Sequence, residues 1–142
     1  MRALSLKGFI AGANPRYLSA TKKQREDRMG ETITLTAADG HEFAAYRAGP
    51  EGNAKGAVVV IQEIFGVNDV MRGITDSFAV AGYVALCPDL FWRQEPGIIL
   101  SDQADEEWAR AFELFNGFDL KMGVSDLAAT INALSGLDSC SG

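Results

Sequence analysis

The chain predicts an α/β domain with a mostly parallel sheet that opens on an antiparallel hairpin. The central observation is an apolar run, Ala57-Val58-Val59-Val60-Ile61, that continues without a break into Gln62 and Glu63 and turns at Gly66. Runs of this kind read as strands buried on both faces, the type found in parallel sheets. A helical pattern and a second apolar run, Tyr83 to Cys87, follow it. Strand, helix and strand in that order make a βαβ unit, whose two strands lie parallel in one sheet. Ahead of this unit, Thr32-Ile33-Thr34-Leu35-Thr36 alternates with period two, and Asp39-Gly40 precedes a second extended segment from His41 to Ala48. That pattern is a hairpin of edge strands.

The remaining elements follow from caps and periodicity. Gly49 to Lys55 is a Gly/Pro/Asn loop leading into strand 57–62. Asn68 or Asp69 can cap a helix with Val70, Met71, Ile74, Phe78 and Ala81 on one face and a stop near Gly82. Ser101 or Asp102 can cap the next, in which Trp108, Ala111, Phe112 and Phe115 recur at helical spacing. Asp119 can cap a third, where Leu120, Val124, Leu127, Ile131 and Leu134 form the apolar face and Gly136 ends the helix.

A length of 142 residues suits one domain, and 47% hydrophobic with 23% charged residues is ordinary for a globular protein. No apolar run approaches the ~20 residues that a membrane crossing needs. With only two thiols, Cys87 and Cys140, the expected setting is a reducing, cytoplasmic one. Residues 1 to 28 hold seven of the thirteen Lys/Arg against Glu26 and Asp27, so residues 29 to 142 carry six basic and seventeen acidic residues, a balance of −11. An acidic body argues against nucleic acid as partner. The basic segment reads either as a targeting peptide or as an extension from a reading frame opened upstream of Met29. The second reading divides the chain into an extension, 1–28, and a domain portion, 29–142.

A carboxylate at the end of a buried parallel strand lies where α/β folds bind ligands, in the crevice beyond the carboxyl ends of the strands. Glu63 is therefore the leading candidate for function, with a solvated strand-end carboxylate as the plainer reading. The segment Gln62-Glu63-Ile64-Phe65-Gly66, together with the later Arg93-Gln94-Glu95-Pro96-Gly97 behind Cys87-Pro88-Asp89, resembles the dienelactone hydrolase family. The resemblance covers residues 29 to 142. It implies an α/β-hydrolase fold and cleavage of an ester or lactone by a Cys-His-Asp triad, with a small-molecule substrate and neither cofactor nor metal. It also implies two catalytic positions here: Glu63, beside the nucleophile and involved in its activation, and Ile64, whose backbone N–H donates to the oxyanion.

The triad itself is missing from these residues. In this fold the nucleophile sits on a strand-to-helix turn of the form G-x-C-x-G or G-x-S-x-G, followed in the chain by the acid and the histidine. No such turn occurs, and the one histidine, His41, lies in the expected hairpin as a half-exposed strand residue. The expectation is a fold truncated before its nucleophile strand, inactive by itself, with Val58-Val59-Val60 left as a sheet edge that favours self-association. The alternative is a non-catalytic α/β binding or interaction module. A dinucleotide fold fits poorly, because Gly66 stands alone where a G-x-G-x-x-G turn is needed.

Several other side chains have readings at this level. Arg93, in the loop after the second strand, is placed to meet an anionic substrate or to pair with a carboxylate in the protein. Asp89 suits loop stabilisation, Cys87 a small buried hydrophobe and Cys140 an exposed thiol. Where typical members of the family carry an arginine, a tyrosine and a tryptophan against the substrate, this chain has Trp108, Phe112 and Phe115, read here as core packing. Arg110 is near enough in sequence to supply the missing cation. A neutral or bulkier ester is then as consistent with the chain as a dienelactone.

Overall fold

The computed structural model describes residues 29–136, and residues 1–28 and Cys140 lie outside that range. Four strands and three helices follow in the order β1 (Glu31–Thr36), β2 (Glu42–Ala48), β3 (Ala57–Val59), α1 (Asp69–Val80), β4 (Val84–Pro88), α2 (Asp105–Asn116) and α3 (Leu120–Ser135). The sheet order is β1-β2-β4-β3. β1 and β2 form the expected hairpin, with Leu35 opposite Phe43, and Gly40 takes the left-handed conformation that its turn needs (φ 85°). β2 pairs antiparallel with β4, and β3 pairs parallel with β4 through Ala57–Val84, Val58–Ala85 and Val59–Leu86. The sheet is thus mixed, and its parallel part among the described residues is the βαβ pair itself.

β3 is shorter than the 57–62 segment read from the sequence. Its ladder stops at Val59, although the Val60 N–H still donates to the Leu86 carbonyl (2.8 Å). Beyond that point Gln62 takes over the connection, accepting at Oε1 from the Leu90 N–H (2.9 Å). The end of β3 and the chain leaving β4 are therefore tied by a side chain rather than by the backbone. β3 has β4 as its one neighbour among the described strands, so its other edge carries backbone groups without a strand partner.

β4 is buried along its whole length, and its alternation divides the core in two. Val84 and Leu86 point to one side with Leu35, Phe43, Ala45 and Leu134, under α3. Ala85 and Cys87 point to the other with Tyr46, Val60, Met71 and Ala79, under α1. Helices on both faces of the sheet give three layers. Burying a side chain such as Leu86 fully is worth about 1.5–3 kcal/mol, so this strand is the centre of stability.

Asn68 caps α1 as one of the two candidates read from the sequence. Its Oδ1 accepts from the Val70 and Met71 N–H groups (both 3.1 Å). The buried face of α1 is Met71, Thr75 and Ala79, with Ile74 and Phe78 partly buried beside it, whereas Ala81 is exposed. Asp119 caps α3 as expected, accepting from Lys121 and Met122, and Gly136 closes that helix.

Four sequence-based expectations need correction. α2 starts at Asp105 with Ala104 at the cap position and no capping side chain, so neither Ser101 nor Asp102 caps it. Ser101 instead bonds Glu107 through both its N–H (3.2 Å) and its hydroxyl, bracing the segment ahead of the helix. His41 precedes β2 and is exposed, with Nδ1 3.3 Å from Asp39, rather than a half-exposed strand residue.

The third and fourth concern helix faces. In α3 the buried stripe is Gly123, Asp126, Thr130 and Leu134, while Leu120, Val124 and Ile131 are more than half exposed. Asp126 is buried because partners come to it. Trp92 Nε1 donates to Oδ2 (2.8 Å), and Arg93 makes a two-pronged contact through Nε (3.1 Å) and Nη2 (2.8 Å). Thr130 satisfies its hydroxyl on the Asp126 carbonyl (2.8 Å), and Gly123 leaves room for the Phe118 ring. In α2 the buried residues are Ala111 and Leu114, whereas Phe112 and Phe115 stand 45% and 55% exposed, so core packing does not account for those two rings.

Candidate active site

The site begins where β3 ends. Glu63 and Gly66 bracket a tight turn, closed by the Gly66 N–H on the Glu63 carbonyl (3.3 Å), with Ile64 and Phe65 at its tip. Gly66 adopts a φ of 75° and lies so close to Ile98 that a Cβ would meet the Ile98 carbonyl oxygen at 2.1 Å. Only glycine fits both demands. The segment 98–100 fastens the turn from outside: Gly66 bridges Ile99, the Leu100 N–H donates to the Phe65 carbonyl (2.9 Å), and Asn68 Nδ2 donates to the Leu100 carbonyl (3.0 Å). Asn68 thus caps α1 and anchors the neighbouring strand-like segment with one side chain.

Two polar groups at this turn are unspent within the described residues. The Glu63 carboxylate is exposed and accepts no hydrogen bond there, and the Ile64 N–H donates none. The Cys87 thiol is fully buried, and that burial pushes its pKa up to about 12. A thiol so placed is not a thiolate at neutral pH.

Asp89 lies at the end of β4 and does what its loop requires. Its Oδ1 accepts from the Phe91 N–H (3.1 Å) and its Oδ2 from the Gly97 N–H (2.7 Å), so the carboxylate clamps the 91–97 loop at both ends. Burial raises its pKa from the ordinary value, against the two backbone donors, which favour the charged form.

Arg93 is engaged within the protein. Besides the contact with Asp126, its Nη1 donates to Asp39 Oδ2 (2.6 Å), and its guanidinium lies 4.1 Å over the Trp92 ring. The guanidinium holds the Asp39 carboxyl down at about 2, with help from the His41 N–H. Three of its five donors face carboxylates, and its charge is met by Asp39 and Asp126 rather than left for a substrate anion. Arg110 is likewise engaged, with Glu113 (2.5 Å) and with Glu95, joining α2 to the 91–97 loop.

Phe65 was not singled out from the sequence, yet it connects the turn to α2. Its ring meets Trp108 edge to face at a centroid distance of 4.8 Å, and Trp108 in turn lies 5.8 Å from Phe112. The Trp108 Nε1–H donates to the Asp102 carbonyl (3.0 Å), which fixes the indole. An aromatic next to a strand-end carboxylate was the available signal, but only the fold brings α2 beside it.

Comparison with known proteins places this turn in a family context. The description "Dienelactone hydrolase family" matches residues 43–141. A carboxymethylenebutenolidase of Pseudomonas putida is 41% identical over 103 residues, which make up 72% of this chain and 44% of the relative. A protein of Azospirillum brasilense, provisionally named as the same enzyme, is 56% identical over 88 residues, 61% of this chain and 38% of the relative. A Klebsiella pneumoniae crystal structure, provisionally named a dienelactone hydrolase, superposes with a TM-score of 0.60 at 27% identity, over 78% of this chain and 46% of that one. The chain spans less than half the length of each of these relatives. With residues 43–141 matched, from β2 through α3, the chain belongs to the dienelactone hydrolase family.

Proposed function

We propose that the chain contributes the first half of the active site of an ester or lactone hydrolase acting by acyl transfer. The observation that supports this reading is the Glu63–Gly66 turn at the carboxyl end of the parallel pair, where a carboxylate and a backbone N–H without partners among the described residues lie next to each other in sequence. Glu63 tunes the protonation of a nucleophile brought beside it, and the Ile64 N–H donates to the oxyanion that forms when that nucleophile adds to the carbonyl. Neither role needs a metal or a cofactor. Arg93 has no part in the proposed chemistry, since its guanidinium is committed to Asp126 and Asp39.

The 142 residues hold no G-x-C-x-G or G-x-S-x-G turn, so the test uses the chain joined to a nucleophile-bearing second half from a family member. Hydrolysis of p-nitrophenyl acetate by that product is expected to fall at least about tenfold in kcat/KM on Glu63→Gln, within the range that positioned proton-transfer groups contribute. Equal rates remove Glu63 from the mechanism.

Self-association through β3 is proposed alongside. The strand lacks a second neighbour among the described residues, and Ile61 beside it is 58% exposed. Sizing chromatography of the chain is expected to give dimers or larger species that Ile61→Lys shifts toward monomer. A monomer at tens of micromolar without the substitution sinks this idea.

A further inference from the structure

We infer that the outer edge of β1 is a pairing surface for a second copy of this chain, joined antiparallel about a two-fold axis at Thr34 so that the two sheets become one. β1 ends the sheet on the side away from β3 and has β2 as its one neighbour among the described strands. The register decides which of its backbone groups are open. One step beyond the Thr36–Glu42 pair, the Ala37 N–H donates to the His41 carbonyl (2.8 Å). Bonded pairs alternate along an antiparallel ladder, so Glu31, Ile33 and Leu35 exchange bonds with β2, while Thr32, Thr34 and Thr36 aim their N–H and C=O groups outward. β2 shows the complementary half of this pattern, with the Ala44 carbonyl accepting from the Asp89 N–H on the β4 side (2.9 Å). On that outer side the backbone of the three threonines has no hydrogen bond among the described residues.

A row of open donors and acceptors is matched by another extended chain. Sheet edges are commonly guarded by a charge, a proline or a bulge, and Thr32-Ile33-Thr34-Leu35-Thr36 has none of these. A second copy fits because the strand is complementary to itself. With the axis at Thr34, that residue faces its own copy, Thr32 faces Thr36 and Ile33 faces Leu35, and each threonine pair exchanges two backbone bonds. All of these pairs are uncharged, and β-branched or apolar pairs of this kind stabilise adjoining strands. Glu31 falls opposite Ala37 of the copy and keeps its own contact with Arg47 (3.5 Å), so no like charges meet. The side chains of the added strand also have somewhere to go. Ile33 and Leu35 point to the face covered by α3, and an open groove of about 510 Å³ runs there between β1 and α3, with Leu35 on one wall and Ala128, Ala129 and Ala133 on the other.

β3 lies at the far end of the sheet, so pairing at β1 and the pairing proposed for β3 are separate events, and a chain that uses both grows past the dimer. The test therefore uses the full 142-residue chain carrying Ile61→Lys, which is expected to cut larger species back to the β1 dimer. A single added strand is small beside the ~800 Å² per partner of a standard interface, so sedimentation velocity should show this dimer building up between about 10 and 200 micromolar. In that background Thr34→Lys and Thr34→Glu each set like charges against each other at the axis and are expected to weaken the dimer about fivefold or more. An equimolar mixture of the two sets lysine against glutamate and is expected to restore it. Thr34 is exposed and its N–H and C=O lie outside the β1–β2 ladder, so neither change disturbs the hairpin, and recovery on mixing shows that both variants are folded. A monomer across the whole range with Ile61→Lys overturns the inference, as does a dimer that ignores both charges or a mixture that stays monomeric. If that monomer instead binds an added peptide of alternating valine and threonine, the edge belongs to a different protein and the second copy is ruled out.

Discussion

Gly66→Ala is expected to destabilise the fold by about 3 kcal/mol or more, a loss at the upper end for single substitutions. Two separate penalties add at this position. The φ of 75° is one that L-residues adopt at a cost of roughly 1–2 kcal/mol. The added methyl would also sit 2.1 Å from the Ile98 carbonyl oxygen, and that oxygen belongs to backbone, so no rotamer change moves it away. The relief available is to push segment 98–100 off the turn, which breaks the Leu100–Phe65 hydrogen bond and frees Ile64 from its orientation. Gly40→Ala is the matched comparison, because φ there is 85° and a Cβ would meet nothing within 4 Å. It should cost about 1 kcal/mol, the conformational part alone. Urea unfolding of the two variants beside the parent measures both, and similar losses at the two positions would show that the contact with Ile98 is not rigid.

Asp126→Ala is expected to cost about 3 kcal/mol. The carboxylate is 1% exposed and accepts three hydrogen bonds, from Trp92 and from two nitrogens of Arg93. Removing it leaves an indole N–H and part of a guanidinium facing a cavity, and the loss of one partner of a buried pair typically costs 3–5 kcal/mol. The lower end applies because Arg93 keeps 24% of its side chain in solvent and retains Asp39. Asp126→Asn should fall between, since an amide oxygen still accepts from Trp92 while the charge is gone. Trp92→Phe should cost about 1 kcal/mol, one hydrogen bond, because a phenyl ring can keep the stack on Phe43 at 5.6 Å. Denaturant unfolding in that order of loss supports a connected network; an Asp126→Ala variant as stable as the parent would mean that the Arg93 contact contributes nothing to the fold.

Much of the fold follows from local rules. The hairpin is legible because Thr-Ile-Thr-Leu-Thr alternates and a glycine follows Asp39, and the turn at Glu63–Gly66 because an apolar strand ends on polar residues and then a glycine. Asn68 and Asp119 cap as their side-chain chemistry dictates. Glu63 is a candidate on the same grounds, as the carboxylate at a strand end.

The faces of α2 and α3 were not legible in this way, and α3 shows why. Ranking residues by hydrophobicity selects Leu120, Val124, Leu127, Ile131 and Leu134; Leu134 packs, whereas Leu120, Val124 and Ile131 face outward among the described residues. The face that packs contains Asp126, which no local rule would bury, because its partners Trp92 and Arg93 stand 34 and 33 residues away. The same fact answers the question of Arg93: a free guanidinium and a committed one have the same sequence, and the difference lies in which carboxylates the fold delivers. Phe112 and Phe115 differ from buried rings only in what α2 turns toward the sheet.

The sequence by itself determined the order of strands and helices, the caps of α1 and α3, the glycine turn and the carboxylate at its start, since each depends on backbone conformation within a few residues. The tertiary structure alone decided which faces of α2 and α3 are buried, where the two arginines spend their charge and that Trp108 packs on Phe65 of the turn. These outcomes depend on pairings across tens of residues, and the free energy of burying a polar or charged group is set by the partner that arrives, not by the residue that waits for it.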